Sequence, residues 1–193
     1  MSKGKGSSNE RAKCRDWSIW WSEGLGIDPP RDDIFYRTAS SGGRGTVRAK
    51  LGKSTAGGYG DMQSQDPVGD PLIQCCTFEM KKGYNDTSIL TCLDSKGKKP
   101  VFRQFLDQVS RDANDAGNEP VLIIHRDYML PCIAMRDRLF LKIRGFCGDF
   151  FGGIIRYSIL SNHEWTVVRL AEFFDWASPQ FFVMEAGKGE EDV

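Results

Sequence analysis

The sequence has few of the residues from which structural metal sites and disulfide frameworks are built. Its six cysteines are scattered, none belongs to a Cys-x-x-Cys pair, and only two histidines, His125 and His163, are present. A structural zinc site draws its four ligands from closely spaced pairs of such residues, so this spacing excludes one. We expect reduced thiols that serve mostly as small core residues.

Long apolar runs are also missing. No stretch approaches the roughly 18 apolar residues that a membrane span needs. The first six residues include two lysines and no acidic residue, but no apolar segment follows them. We therefore expect no secretory signal, and we expect the protein in the cytoplasm.

Neither sign of charge is in excess, because 26 Lys and Arg residues balance 26 Asp and Glu residues. The distribution is nevertheless uneven. Residues 1–60 carry eleven basic against six acidic residues, whereas residues 161–193 carry two against seven. A partner responds to the local field rather than to the total charge, so the N-terminal third remains compatible with a nucleic-acid partner.

The chain of 193 residues is long enough for one compact domain with a sizeable core. We predict a flexible basic arm over residues 1–7, a single domain over 8–180 and a polar acidic tail over 181–193. Within the domain, the core covers about 8–127, and residues 128–180 form a C-terminal extension.

Hydrophobic spacing predicts alternating helices and strands. One helix is predicted from a capping box at Ser7–Glu10 to about Ser22, and another from Pro100 to about Ala116. Further strands are predicted at 33–38, 120–125, 131–135, 139–144 and 153–160, and a last helix at 167–177. Two more strands, 59–65 and 72–82, are predicted to form a hairpin that turns in the proline- and aspartate-rich stretch 66–71.

The segment Phe78-Glu79-Met80-Lys81 carries the most informative pattern. Side chains alternate between the faces of a strand, so Glu79 and Lys81 share one face and the apolar residues of the segment share the other. In the predicted hairpin, Asp61 lies opposite Thr77 or Glu79, at a strand spacing of about 4.8 Å. Two carboxylates this close repel each other unless a cation lies between them, and Mg²⁺ prefers such oxygens together with water and phosphate. With the amine, these residue types suit metal-dependent cleavage of a phosphodiester.

An ordinary ion pair on a solvated sheet is the alternative interpretation of Glu79 and Lys81. The register to Asp61, the apolar back of the strand, and the helix and buried strand that follow favour the interpretation as a site. Asp66 and Asp70 are rivals for the upstream acidic position, since both lie in the same region of the sequence.

The ordered set of Asp61, Glu79-Met80-Lys81, a helix carrying Gln108 and the strand 120–125 resembles the PD-(D/E)xK nuclease superfamily. Its Holliday-junction-resolvase-like and phage-encoded members are the most similar, since they also have an N-terminal helix with a Glu and a Ser/Gly/Arg loop before the catalytic Asp. The resemblance covers about residues 7–127. The sequence departs from the family pattern at Gly60, where the family has proline before the acid.

The resemblance implies an α/β fold in which helices flank a central mixed β-sheet, the restriction-endonuclease-like core of order αβββαβ. It implies Mg²⁺-dependent hydrolysis of DNA, with Mn²⁺ as a substitute, in the host cytoplasm if a phage encodes the chain. Resolvase-like members act on branched DNA and make two symmetric cuts, which implies a homodimer.

The resemblance also implies roles for single residues. Asp61 and Glu79 are implied as metal ligands, with the carbonyl of Met80 as a third, and Lys81 is implied as the catalytic amine. Gln108 is implied to lie near the attacking water and Lys81, although a surface amide is its alternative.

Glu10 has two interpretations, as part of the capping box or as an inward-facing residue of the site, because it lies on the apolar stripe of its helix. Contacts to DNA are assigned to polar residues before and after the site, with a solvated surface as the alternative. These residues are Arg37, Ser41, Arg44 and Lys82.

Two other functions stay open at this point. One is a catalytically inactive DNA-binding or phage assembly protein with the same fold. The other is an RNA nuclease, which differs only in its substrate.

Overall fold

The computed structural model describes residues 3–38, 59–94, 96, 99–159 and 163–188. The helices in these ranges are α1 (Lys3–Gly24), α2 (Asp70–Cys75), α3 (Thr91–Asp94), α4 (Val101–Ala116), α5 (Asp137–Cys147), α6 (Leu170–Trp176) and α7 (Pro179–Lys188). The strands are β1 (Phe35–Arg37), β2 (Met62–Ser64), β3 (Cys76–Lys82), β4 (Glu119–His125), β5 (Cys132–Arg136), β6 (Ile155–Ile159) and β7 (His163–Arg169).

Five strands form a mixed central sheet in the order β3-β4-β5-β7-β6. β3 and β4 run parallel, and the connection between them contains α4, whereas the other neighbouring pairs are antiparallel. β1 and β2 form a separate antiparallel pair. With helices on both faces of the sheet, the structure confirms the predicted α/β class and is compatible with a restriction-endonuclease-like core.

The two faces of β3 point into two different apolar clusters. Phe78 packs edge-on against Trp17 of α1, with ring centroids 4.9 Å apart. On the opposite face, Leu106 of α4 packs in a cluster with Leu122 of β4. Since Leu122 pairs with Glu79 in the parallel register, Glu79 lies on the α4 face. The predicted alternation of side chains along this strand is therefore confirmed.

Both predicted amphipathic helices in the N-terminal two thirds are present. In α1, Cys14, Trp17 and Trp21 are at most 2% exposed, as their spacing predicts. The helix begins at Lys3, so the pair Ser7–Glu10 lies inside it and the predicted capping box is wrong. In α4, the predicted apolar stripe is buried, and the helix ends at Gly117 in the left-handed conformation.

The predicted hairpin of residues 59–65 and 72–82 is wrong. β2 pairs with β1 rather than with β3, a 3-10 turn occupies part of the predicted turn, and α2 replaces the first four residues of the predicted second strand. Asp66 caps the 3-10 turn by accepting a hydrogen bond from Val68 N at 3.0 Å. Pro71 lies in the first turn of α2, where no backbone donor is needed. These two residues favour a helix start over a β-turn.

The C-terminal third differs more from the sequence-based expectations. The strand predicted at 139–144 is the helix α5, because Leu139, Phe140 and Ile143 share one helical face and are buried. Strand β7 was not predicted, and α6 begins only at Leu170. α7 carries the buried Phe181 into the core, so residues 181–188 are not part of a polar tail. None of the described helices is long and apolar enough to cross a bilayer.

Candidate active site

Asp61 lies against the open edge of β3. Its backbone nitrogen donates a hydrogen bond to Phe78 O at 2.6 Å, and its carbonyl accepts one from Thr38 N at 3.0 Å. Its carboxylate oxygen Oδ2 accepts a hydrogen bond from Met80 N at 2.7 Å. Because backbone and side chain both bind β3, the carboxylate, which is 2% exposed, is held at the level of Glu79.

Gly60 makes this approach sterically feasible. Its φ of +79° lies in the left-handed region, which favours glycine. A Cβ at this position would lie 2.6 Å from Phe78 O and 3.1 Å from Phe78 N, which are backbone atoms of β3. Proline, the residue that the family pattern has here, could not adopt this φ. The departure from the family pattern therefore has a local physical reason.

Glu79, Lys81 and Gln108 form a connected group on the α4 face of β3. The ammonium of Lys81 donates to Glu79 Oε1 and, at 3.2 Å, to Gln108 Oε1. The amide of Gln108 donates to the same Glu79 oxygen at 2.9 Å. The ammonium also lies 5.2 Å from the ring centroid of Phe105, which adds a cation–π contact.

The electrostatic environment of Glu79 opposes its ionisation in the protein alone. Burial raises the pKa of Glu79 from 4.5 to about 7, the carboxylate of Asp61 adds to the increase, and the ammonium of Lys81 counteracts it. Glu79 Oε2 is buried, and no hydrogen bond to it is found within the described ranges. A bound cation would both stabilise the ionised form and occupy this oxygen.

The carbonyl of Met80 faces the same side of β3 as Asp61. In a strand, the nitrogen and carbonyl of one residue point to the same neighbour, and Met80 N points to Asp61. Two carboxylates and one carbonyl form an oxygen donor set suited to a hard divalent cation. Within the described part of the chain, no cluster of three or more His, Cys, Asp or Glu side chains could hold a metal ion. A site here would therefore depend on the backbone oxygen, on water and on substrate.

The rival acids do not reach this group. Asp66 caps the 3-10 turn and binds the guanidinium of Arg31, with 2.6 Å between Nη1 and Oδ2. These two contacts lower the pKa of Asp66, the hydrogen bond from Val68 N first. Asp70 begins α2 and lines a separate cleft of about 750 Å³. Of the three candidate acids, the structure brings only Asp61 beside Glu79.

Glu10 lies close to the site but is bound to Arg37. The carboxylate of Glu10 accepts a hydrogen bond from Arg37 Nε. Burial raises the pKa of the Cys14 thiol to about 12, with further increases from the carboxylates of Asp61 and Glu10. Glu10 and Asp61 are therefore both within electrostatic range of Cys14. Lys82 ends β3 beyond Lys81, whereas Ser41 and Arg44 lie outside the described residues.

Two features of the site were missed in the sequence. The conformation of Gly60 could have been suspected from a glycine directly before an acid. Asp112 follows Gln108 by one turn of α4, and its pKa is raised, first by burial and also by the carboxylates of Asp115 and Asp61. The i, i+4 spacing from Gln108 was the available signal for this residue.

Replacement of Gln108 by methionine tests whether the amide positions Lys81. If the chain cleaves DNA as the resemblance implies, the rate should fall about 10- to 100-fold, because both Lys81 and Glu79 lose a hydrogen-bonding partner. The matched control is Gln104→Met, one turn earlier on α4, where the exposed amide donates to Lys99 O and does not belong to the group around Glu79. Cleavage rates of both variants should be measured on one substrate. Equal rates for Gln108→Met and the wild type would exclude the positioning role.

Comparison with known protein families identifies the family of the chain. The model of the family described as "Phage putative PDDEXK endonuclease" matches residues 1–181, and the chain belongs to this family. The match confirms the resemblance to phage PD-(D/E)xK nucleases and extends it beyond residue 127, through the extension that the motifs alone did not cover. Neither the curated proteins nor the solved structures gave a match.

Proposed function

We propose that this member of the phage PDDEXK endonuclease family is a Mg²⁺-dependent endonuclease that hydrolyses phosphodiester bonds of DNA. The observation that carries the proposal is the meeting of Asp61 with the connected group of Glu79, Lys81 and Gln108 at the open edge of β3. These side chains have fixed partners before any substrate binds, which suits catalysis by positioning.

Asp61, Glu79 and the carbonyl of Met80 would hold the cation. The buried Glu79 Oε2, to which no described residue donates, supports this assignment. So does the oxygen-only donor set, which suits Mg²⁺ and admits Mn²⁺ as a substitute. When bound, the cation polarises the scissile phosphate and neutralises the charge that develops on the leaving oxygen.

Lys81 is the proposed catalytic amine. Its ammonium is held by Glu79 and Gln108, so little side-chain entropy is lost when it donates a hydrogen bond to the substrate. It would orient the attacking water or donate to a non-bridging phosphate oxygen as negative charge accumulates there. Gln108 would act through Lys81 and Glu79 by fixing their relative position.

The proposed DNA contacts are made by Arg37 and Lys82 on the described surface and by Ser41 and Arg44 in the segment before Tyr59. Arg37 Nε donates a hydrogen bond to the carboxylate of Glu10, which fixes the position of the guanidinium. The next residue, Thr38, donates from its backbone nitrogen to Asp61 O, so Arg37 lies next to the site. We therefore assign Glu10 to orienting Arg37 rather than to binding the metal. We also propose that the enzyme prefers branched DNA. It would act as a homodimer that makes paired cuts.

A cleavage assay tests the proposed function. Supercoiled plasmid and a four-way junction are incubated with the protein in Mg²⁺, in Mn²⁺ and in EDTA. We expect cleavage with either cation and none with EDTA. Lys81→Met should lower the rate at least 100-fold, because the substitution removes the donor but retains an apolar chain of similar length.

Lys142→Met is the matched control, since Lys142 pairs with Glu185 on an exposed surface of α5. Its rate should equal that of the wild type. Cleavage that persists in EDTA, or a Lys81→Met rate equal to that of the control, would exclude the proposed mechanism. Salt-sensitive DNA binding without cleavage would instead support the inactive DNA-binding alternative.

A further inference from the structure

The turn between β4 and β5 exposes three large apolar side chains at its tip. Tyr128 is fully exposed, Met129 is 52% exposed and Leu130 is 69% exposed. Met129 N donates to Arg126 O at 3.2 Å and closes the turn. Exposed apolar residues are common singly, but three in succession at one projecting tip are typical of an interaction site.

The backbone at the tip is in a conformation that tyrosine rarely adopts. Tyr128 has a φ of +63° and is the one non-glycine residue with positive φ in the described ranges. It is the third residue of a four-residue turn, a position at which glycine or asparagine is favoured when φ is positive. Because the ring is fully exposed and packs against no described residue, the stability of the fold does not account for tyrosine at this position.

The tip is braced from a second loop. Asn85 accepts a hydrogen bond from Asp127 N at 2.8 Å and donates one to Asp127 Oδ2 at 3.2 Å. Arg126 Nη1 donates to Thr87 O at 3.3 Å. The loop that follows β3 thus holds the first two residues of the turn. The apolar side chains are presented on a fixed support.

The tip projects from the same end of the sheet as the candidate active site. In the parallel register, Lys82 pairs with His125, so the turn begins directly beyond the last residue of β3. Glu79 lies three residues before Lys82 on β3, and Tyr128 lies three residues after His125, the last residue of the neighbouring strand. The tip is therefore at most about 20 Å further along the strand direction than Glu79. That distance corresponds to about six base steps of 3.4 Å along one strand of DNA.

The base of the turn carries both basic and acidic side chains. The pKa of His125 is lowered, first by burial and then by the ammonium groups of Lys13 and Lys82, so both cations lie near it. Asp127 opposes this effect, and Lys13 is itself paired with Asp16 at 2.6 Å. Lys82 and Arg126 are the basic residues between the site and the tip, so a polyanion bound at Lys81 would meet further positive charge on the way.

We propose that the Tyr128–Leu130 tip contacts unstacked bases of the nucleic acid and selects substrates in which bases are unpaired. The inference rests on the proposed function, since it assigns a specificity element to the same site. Tyrosine offers a flat face on which any base can stack, and neighbouring apolar residues fill the space of a displaced base.

A second copy of the chain is the competing partner for this surface. A stable dimer buries about 800 Å² on each partner. Three side chains, with at most about 200 Å² each, do not reach that value. The small area and the projecting shape fit insertion between bases better than a flat protein interface.

The test measures binding to DNA in the cleavage-deficient Glu79→Gln background. The probe is a duplex with 2-aminopurine in a three-nucleotide bulge, and the reference is the same duplex fully paired. The Tyr128→Gly variant should bind the bulged probe roughly 5- to 100-fold more weakly, with loss of 2-aminopurine quenching, while its affinity for the paired duplex stays within about twofold. Its thermal stability should be equal or higher, because glycine suits this φ.

Tyr128→Phe should retain full binding, since the ring remains. Phe151→Ala is the control, because Phe151 is equally exposed but lines a pocket with Arg156 of β6, the opposite edge strand. Equal losses on bulged and paired DNA, or no loss, would overturn the inference. A changed sedimentation coefficient for Tyr128→Gly would also overturn it, in favour of a dimer contact. The cleavage assay above decides separately whether the chain is a nuclease.

Discussion

Replacement of Glu79 by glutamine should abolish DNA cleavage and should stabilise the metal-free protein at pH 8. Glutamine keeps the size of the side chain and retains an oxygen for Lys81 and Gln108, but it removes the charge that the cation requires. We expect the cleavage rate to fall at least about 1000-fold. The stabilisation follows from the environment of the carboxylate, which is 3% exposed and lies beside Asp61.

The raised pKa of Glu79 determines the direction in which the free energy of unfolding changes with pH. The pKa of Glu79 is raised from 4.5 to about 7 in the folded protein, so the folded state binds the proton more tightly than the unfolded state. The contribution of this group is then fully present below pH 4.5 and is lost as the pH rises through 7. In EDTA, the wild type should lose stability on the order of 3 kcal/mol across this range, and the variant should not.

Thermal unfolding in EDTA at several pH values, with and without added Mg²⁺, measures both effects. Mg²⁺ should raise the melting temperature of the wild type at pH 8 and leave Glu79→Gln unchanged. Glu119→Gln is the matched control on the neighbouring strand, where the carboxylate pairs with Arg138 at the surface. If Glu79→Gln keeps wild-type cleavage, or if Mg²⁺ stabilises it as much as the wild type, Glu79 is not a ligand.

The short pattern around Glu79 is sufficient to predict the local structure because strand alternation is a local property. An apolar residue on each side of Glu79 assigns the carboxylate to the opposite face, whatever the remaining topology. The same applies to α4, whose apolar stripe follows from helical spacing. Gln108 reaches the site because the parallel pairing of β3 and β4 requires a crossover and places that helix over the β3 face.

The route by which Asp61 reaches β3 could not be predicted in this way. The hairpin hypothesis places Asp61 near Glu79 for a wrong reason, since β2 pairs with β1 and Asp61 reaches β3 through its own backbone and side-chain hydrogen bonds. That contact is long-range, and no period in the sequence encodes it. Likewise, the pairing of Glu10 with Arg37 depends on how α1 packs against β1. Long-range packing therefore decides the upstream half of the site, whereas local periodicity decides the downstream half.

Replacement of Gly60 by alanine should therefore destabilise the fold and inactivate the site together. The added Cβ would lie 2.6 Å from Phe78 O, a backbone atom that cannot move without disturbing β3. We expect a loss of about 3 kcal/mol in the free energy of unfolding, from overpacking and positive-φ strain combined. We also expect at least a 100-fold loss of cleavage, because a shift of about 1 Å at Asp61 separates it from Met80 N and Glu79.

The variant Gly117→Ala separates the effect of overpacking from that of positive-φ strain. Gly117 has nearly the same backbone conformation, with φ +76° against +79°, but a Cβ there would meet nothing within 4 Å. This variant should lose only about 1 kcal/mol, the cost of positive φ, and should cleave DNA at the wild-type rate. Chemical denaturation and cleavage rates of both variants give the comparison. If the two lose equal stability and both remain active, the close approach of residue 60 to β3 does not hold Asp61 in place. If only Gly60→Ala loses both properties, the missing side chain at residue 60 is what allows Asp61 to reach the edge of the strand.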